Sequence, residues 1–161
     1  MTATNHALTG ALIGLSIGNP WLALPAAFVS HFVLDAVPHF GFKDAKSLEE
    51  WLPDKRFKLM LVFEAIFCFC IVLALFLLQP DNWFLGALCA FVAASPDLYS
   101  LPIFLYYNHV TVRPIKWNAF RRFHRGIQTE RIWGAWIELA WLITVLSLFV
   151  RSLGYLNHPH L

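Results

Sequence analysis

The chain has 161 residues, 58% of them hydrophobic, and a mean hydropathy of +0.59. Only 14% are charged, against about 25% in a typical soluble domain, which argues against an ordinary water-soluble protein and points to the membrane. A formal charge of +2 is too mild to predict a nucleic-acid partner, and Cys68, Cys70 and Cys89, all inside apolar runs, give neither a disulfide framework nor a zinc motif.

In chain order, the first apolar stretch covers residues 6–37 and is broken at Gly18-Asn19-Pro20, which predicts two helices joined by a tight turn. The opening helix, about 13 residues and so roughly 20 Å long, is short for a full crossing. A cleavable signal is not expected, because Thr2-Ala3-Thr4-Asn5-His6 carries no Lys or Arg. Next, Ser47-Leu48-Glu49-Glu50-Trp51-Leu52 reads as a short interfacial helix, with Ser47 and Glu50 as a capping box. Residues 57–78, 83–107 and 132–150 each meet the length of about 20 residues required of a spanning helix. The predicted architecture is an all-α polytopic membrane helix bundle. It has about five helical segments, an N-terminal helical hairpin plus three spanning helices, in a single integral-membrane domain over residues 1–161.

Basic residues choose the orientation. Lys43, Lys46, Lys55, Arg56 and Lys58 follow the first hairpin, and Arg113, Lys116, Arg121, Arg122, Arg125 and Arg131 precede the last helix. The turns at Asn19 and Asp81-Asn82 have none. The positive-inside rule then places both basic loops and the N-terminus in the cytoplasm, at the cell inner membrane, with the C-terminal tail outside. Trp21 and Trp83 fall at the outer interface, and Trp51, Trp117 and Trp133 at the inner one.

Ionisable residues gather at one depth on this scheme. At 1.5 Å per helical residue, Asp35 lies about 6 Å and His31 about 12 Å in from His39. Glu64, Asp97 and Glu138 come to about 9–15 Å from the same side. Intramembrane carboxylates are costly and mark function by default. His31 and Asp35, four residues apart, share a helical face. Pro38 ends that helix near Val37, so His39 can swing toward them. Two imidazoles and a carboxylate suit zinc, which makes a nucleophile of bound water near neutral pH. His6, His124 and Asp97 are further candidate ligands, and Glu64 or Glu138 a candidate general base. Arg121, Arg122 and Arg125 flank His124 beside Gly126 and could pair with a phosphate, or could simply set topology.

These residues carry a resemblance. His6, Ser30-His31-Phe32-Val33-Leu34-Asp35, Ser95-Pro96-Asp97-Leu98 and His124-Arg125-Gly126 together resemble the membrane-bound metal-dependent hydrolase family, also described as LexA-binding inner-membrane hydrolases. The run from His31 to His39 is also similar to the ligand helix of zinc-dependent phospholipases C, which has an extra residue before its final histidine. The resemblance implies His6, His31, Asp35, Asp97 and His124 as ligand positions. Here the Ser-His-x-x-x-Asp element comes first rather than last. Leu98-Tyr99 replaces a second Asp, and Gln128-Thr129-Glu130 stands where the family has a Thr-His-Ser.

The function expected is metal-dependent hydrolysis of a phospholipid or other membrane phosphoester at the cytoplasmic face, with a divalent metal, zinc first, as cofactor. The partners expected are the lipid bilayer and that substrate, with no nucleic acid. The alternatives are a non-catalytic metal or proton translocator, which uses the same residue types, and a structural membrane protein whose ionisable groups merely pair.

Overall fold

Gly18, Asn19 and Pro20 do end one helix and start the next in the computed structural model, which describes residues 1–41, 54–102 and 118–154. Helix α1 (Ala3–Ile17) stops at Gly18, whose φ of +67° is a left-handed cap that glycine adopts without steric cost. Asn19 caps α2 (Pro20–Ala36) by accepting the Trp21 N–H at 2.9 Å, and Pro20 fills the first helical position, where its missing N–H costs nothing.

The remaining helices are α3 (Lys55–Leu78), α4 (Trp83–Leu98), α5 (Ala119–Ile127) and α6 (Ala135–Gly154), the last entered through a 3₁₀ turn at Ile132–Gly134. The described residues are thus all-helical, with six α-helices and no strand. Two stretches, Lys55–Leu78 and Ile132–Gly154, are long and apolar enough to cross a membrane.

Two differences from the expectation have local causes. Helix α4 ends at Leu98, two residues after Pro96, rather than continuing to residue 107. Proline cannot donate to the Val92 carbonyl one turn back, and the Ser95 hydroxyl takes that acceptor at 2.8 Å. In addition, the basic segment expected as loop forms α5. Asn118 caps it by accepting the Arg121 N–H at 2.9 Å, and Phe120, Phe123, His124 and Ile127 recur at helical spacing. The capping-box helix at 47–52, the basic residues Lys43, Lys46, Arg113 and Lys116, Trp51, Trp117 and residues 103–107 lie outside the described residues.

Helix α1 is the hub, packed against α2, α3, α4 and α6. Small residues make this possible. A Cβ built on Gly14 would stand 2.6 Å from the Leu85 carbonyl oxygen, and one on Gly10 would fall on the Cys89 carbonyl and 2.7 Å from the Ala93 Cβ. Ala7, Leu8, Ala11, Ile71, Leu75, Ala90, Val145 and Phe149 form one core, and Ala23, Ala27, Cys89 and Ala93 a second. The outer faces are apolar as well: Phe63, Phe67, Phe76 and Leu77 of α3 and Trp136, Ile143 and Val150 of α6 are all more than half exposed. A patch of that size is unusual on a soluble monomer.

A candidate metal centre

The N-terminus of α1 has no acidic residue in its first turn and no side-chain cap of its own. Its free N–H groups and positive dipole end are met instead by carboxylates from other helices. Glu138 accepts from the Thr2 N–H and, at 3.1 Å, from the Phe40 N–H. Glu64 accepts from the Thr4 N–H at 2.7 Å and from the Thr4 hydroxyl at 2.6 Å. Asp35 receives the Met1 ammonium at 2.6 Å. The carboxylates therefore converge because one helix end organises them.

Next to this helix end, His6 of α1, His31 and Asp35 of α2, Asp97 of α4 and His124 of α5 come together. His31, Asp35, Asp97 and His124 can each turn one donor atom so that all lie within 4.8 Å of one another. The His31 and His124 Nε2 atoms are 2.8 Å apart. Asp35 Oδ2 is 2.9 Å from His124 Nε2 and 3.2 Å from His31 Nε2. Asp97 Oδ1 is 3.6 Å and 3.9 Å from the same two nitrogens. Ligands of one tetrahedral zinc at 2.0–2.1 Å would sit about 3.4 Å apart, so the spacing suits a single ion. His6 stacks on His31 with ring centroids 4.0 Å apart, and its Nε2 is 3.2 Å from Asp35 Oδ1 and 4.0 Å from Asp97 Oδ2. Its Nδ1 is buried without a hydrogen-bond partner.

The orientation of the His31 ring follows from its surroundings. Its Nδ1 lies 2.8 Å from the Ala93 carbonyl oxygen, which can only accept, so Nδ1 carries the proton. Nε2 then faces His124 Nε2 at 2.8 Å, Asp35 Oδ2 at 3.2 Å and Asp97 Oδ1 at 3.9 Å. The bond to the Ala93 carbonyl is of the kind metal-bound histidines regularly make through their second nitrogen, and it leaves Nε2 as the atom that could meet an ion. The donor set, nitrogen and carboxylate oxygen, fits zinc and other borderline divalent ions.

Burial grades across the site. His6, His31 and Asp35 are fully enclosed, whereas the Asp97 side chain is 29% exposed. Asp97 also lines a cavity of about 510 Å³, so the accessible edge of the cluster opens there.

The other expected site residues have identifiable positions. His39 stands apart from the four-residue group. It is buried, its Nδ1–H donates to the Val37 carbonyl at 2.9 Å, and its backbone bonds to Thr129 and Arg131 tie the chain after α2 to the chain after α5. Glu64 lines the cavity with Asp97, and Glu138 is occupied by Thr2 and Phe40. Arg125 lies on the cavity wall and pairs with Glu130 at 2.8 Å. Arg121 stacks over Tyr99 with 4.9 Å to the ring centroid, and Arg122 is exposed on α5. Sequence reasoning missed Gln128, whose side-chain amide reaches Asp35 at 3.5 Å, and Thr4, which fixes Glu64. The run of Thr4, Asn5 and His6, three polar residues opening an apolar helix and all buried, was the available signal.

Burial pushes the His39 imidazole below its ordinary value of 6.5; the nearby N-terminal ammonium adds to this, and the bond to Val37 opposes it. A histidine held neutral in the fold is protonated first in the unfolded chain, so its stability contribution holds above pH 6.5 and is lost as pH falls below that value. Thermal melts in detergent at pH 7.5 and 5.5 should show a smaller acid-induced drop in Tm for His39→Gln than for the wild type.

No protein-family model matches this chain, and neither the curated proteins nor the solved structures contain a match.

Proposed function

We propose that the chain is a polytopic protein of the cell inner membrane, N-terminus cytoplasmic, that hydrolyses a phospholipid or other membrane phosphoester with a divalent metal, zinc first. The exposed apolar faces of α3 and α6 support the membrane setting, since lipid is the solvent those side chains suit. The observation that carries the metal reading is the convergence of one donor atom each from His31, Asp35, Asp97 and His124 within 4.8 Å, with the Ala93 carbonyl holding His31 through Nδ1. The resemblance of His6, His31, Asp35, Asp97 and His124 to the membrane-bound metal-dependent hydrolases points the same way.

Bound at this site, a divalent ion supplies Lewis acidity and a source of hydroxide near neutral pH. The chain supplies the rest. Asp35 and the imidazoles of His31 and His124 hold the charge, and Ala93 orients His31. Asp97 sits where the cluster meets the cavity. Of the two candidate bases, Glu64 is the better placed, because it faces the cavity while both oxygens of Glu138 hold backbone N–H groups. Arg125, at the cavity wall, offers an anion a guanidinium that Glu130 orients, with Arg121 and Arg122 on the same helix adding positive charge.

Purified protein in mixed-headgroup phospholipid vesicles should release a headgroup or phosphate detectable by mass spectrometry. Release should stop with a chelator, return with Zn²⁺, and fall at least about a hundredfold in His124→Ala, as loss of a ligand requires. Metal-replete wild type that leaves every phospholipid intact would refute the hydrolase reading.

A further inference from the structure

Each carboxylate of the cluster divides its two oxygens between two sides. Asp35 turns Oδ2 toward the Nε2 atoms of His124 and His31, at 2.9 and 3.2 Å, and Oδ1 toward His6 Nε2, at 3.2 Å. Asp97 does the same at longer range. Its Oδ1 lies 3.6 and 3.9 Å from the His124 and His31 Nε2 atoms, and its Oδ2 lies 4.0 Å from His6 Nε2. The His6 and His31 rings stack with centroids 4.0 Å apart and planes inclined by 28°, so the two imidazoles stand side by side. His6 Nδ1 is buried without a hydrogen-bond partner, whereas the Ala93 carbonyl holds His31 through that atom. Nothing on its far side therefore fixes the His6 ring. Its placement follows from the stacking and from the carboxylate oxygens that Nε2 faces.

We infer that His6 Nε2, Asp35 Oδ1 and Asp97 Oδ2 form a second divalent-metal position beside that of His31 and His124, with Asp35 and Asp97 bridging the two. An ion between His31 and His124 uses one oxygen of each carboxylate and leaves the other pair on the His6 side. Paired ions in two-metal sites stand about 3.5–4 Å apart, which the 4.0 Å offset of the stacked rings matches. The second position is the weaker one. It has one imidazole against two, and the Met1 ammonium already meets Asp35 Oδ1 at 2.6 Å. It therefore fills after the first, at higher free metal. The assignment rests on the metal reading above and deepens it, because paired ions can clamp both the attacking and the leaving oxygen of a phosphoester.

The test uses full-length protein in detergent, stripped of metal and titrated with Mn²⁺, a paramagnetic ion that carboxylate donors suit. Equilibrium dialysis should show one Mn²⁺ bound per chain and then, at least about tenfold more weakly, a second. With the second step, electron paramagnetic resonance should change from an isolated-ion to a spin-coupled spectrum, as two carboxylate bridges over so short a separation require. His6→Ala should keep the first step and lose both the second and the coupled spectrum. His6→Gln, polar and closer in size, serves if His6→Ala is not monodisperse. Wild type that saturates at one Mn²⁺, or a second step unchanged in the His6 variants, would overturn the inference and leave the first position standing. Loss of both steps in a folded His6 variant would also overturn it, since His6 would then belong to the first position. Wild type that binds no divalent ion would remove the metal reading and this position together.

Discussion

Asp35→Ala is expected to strip the protein of its metal and to lower its stability by about 3–5 kcal/mol, the usual cost of removing one partner from a buried charged network. Asp35 is the common partner of the Met1 ammonium, His6, His31 and His124, at 2.6, 3.2, 3.2 and 2.9 Å. Without it, one ammonium and three imidazoles stay buried with no carboxylate at the centre, since Asp97 stands 3.6 Å or more from each imidazole. Chemical denaturation in detergent, followed by tryptophan fluorescence, measures the loss. His124→Ala is the matched control, because it removes a ligand at the edge of the site and leaves α1, α2 and α4 packed. It should lose metal with a much smaller loss of stability. Equal destabilisation by the two variants would mean that the ion both have lost, and not the network around Asp35, sets the stability.

Gly10→Val is the second large effect. The space a Cβ needs at this position is held by the Cys89 carbonyl and the Ala93 Cβ, so even alanine forces α1 and α4 apart. Overpacking of this kind costs roughly 1–3 kcal/mol for small insertions. The cost rises here because the obstacle is backbone, which cannot rotate away. The consequence reaches the site, since Ala93 is also the residue whose carbonyl fixes His31. Gly10→Val should therefore give aggregated or metal-free protein on size-exclusion chromatography. Gly126→Ala, where nothing stands within 4 Å of the new methyl, should be neutral or gain up to about 1 kcal/mol from helix propensity.

Much of this arrangement was legible in the sequence. Gly18-Asn19-Pro20 announced a helix break because each residue has a distinct mechanical role, in cap, N-cap and first turn. The spacing of His31 and Asp35 put them on one face, and common depth brought Asp97 to the same level. Less legible was everything set by partners far along the chain. Glu64 and Glu138 read equally well as bases or as structural groups, since nothing local shows that the N-terminus of α1 needs acceptors. Helix α5 was hidden by its arginines, although the apolar spacing of Phe120, Phe123 and Ile127 was present. His39 was expected to close over the site from the membrane edge. Its position is set by backbone pairing with Thr129 and Arg131, a tertiary contact that no sequence window contains. The cavity beside Asp97 likewise depends on alanines from three helices whose alignment only the fold supplies.

Metal analysis of full-length protein, purified in detergent without chelators and compared with Asp35→Ala, tests the central claim most directly. One tightly held divalent ion per chain is expected in the wild type, zinc when zinc is supplied, and none in the variant. Wild-type protein that is folded, monodisperse and metal-free after incubation with Zn²⁺ and with other divalent ions would contradict the account.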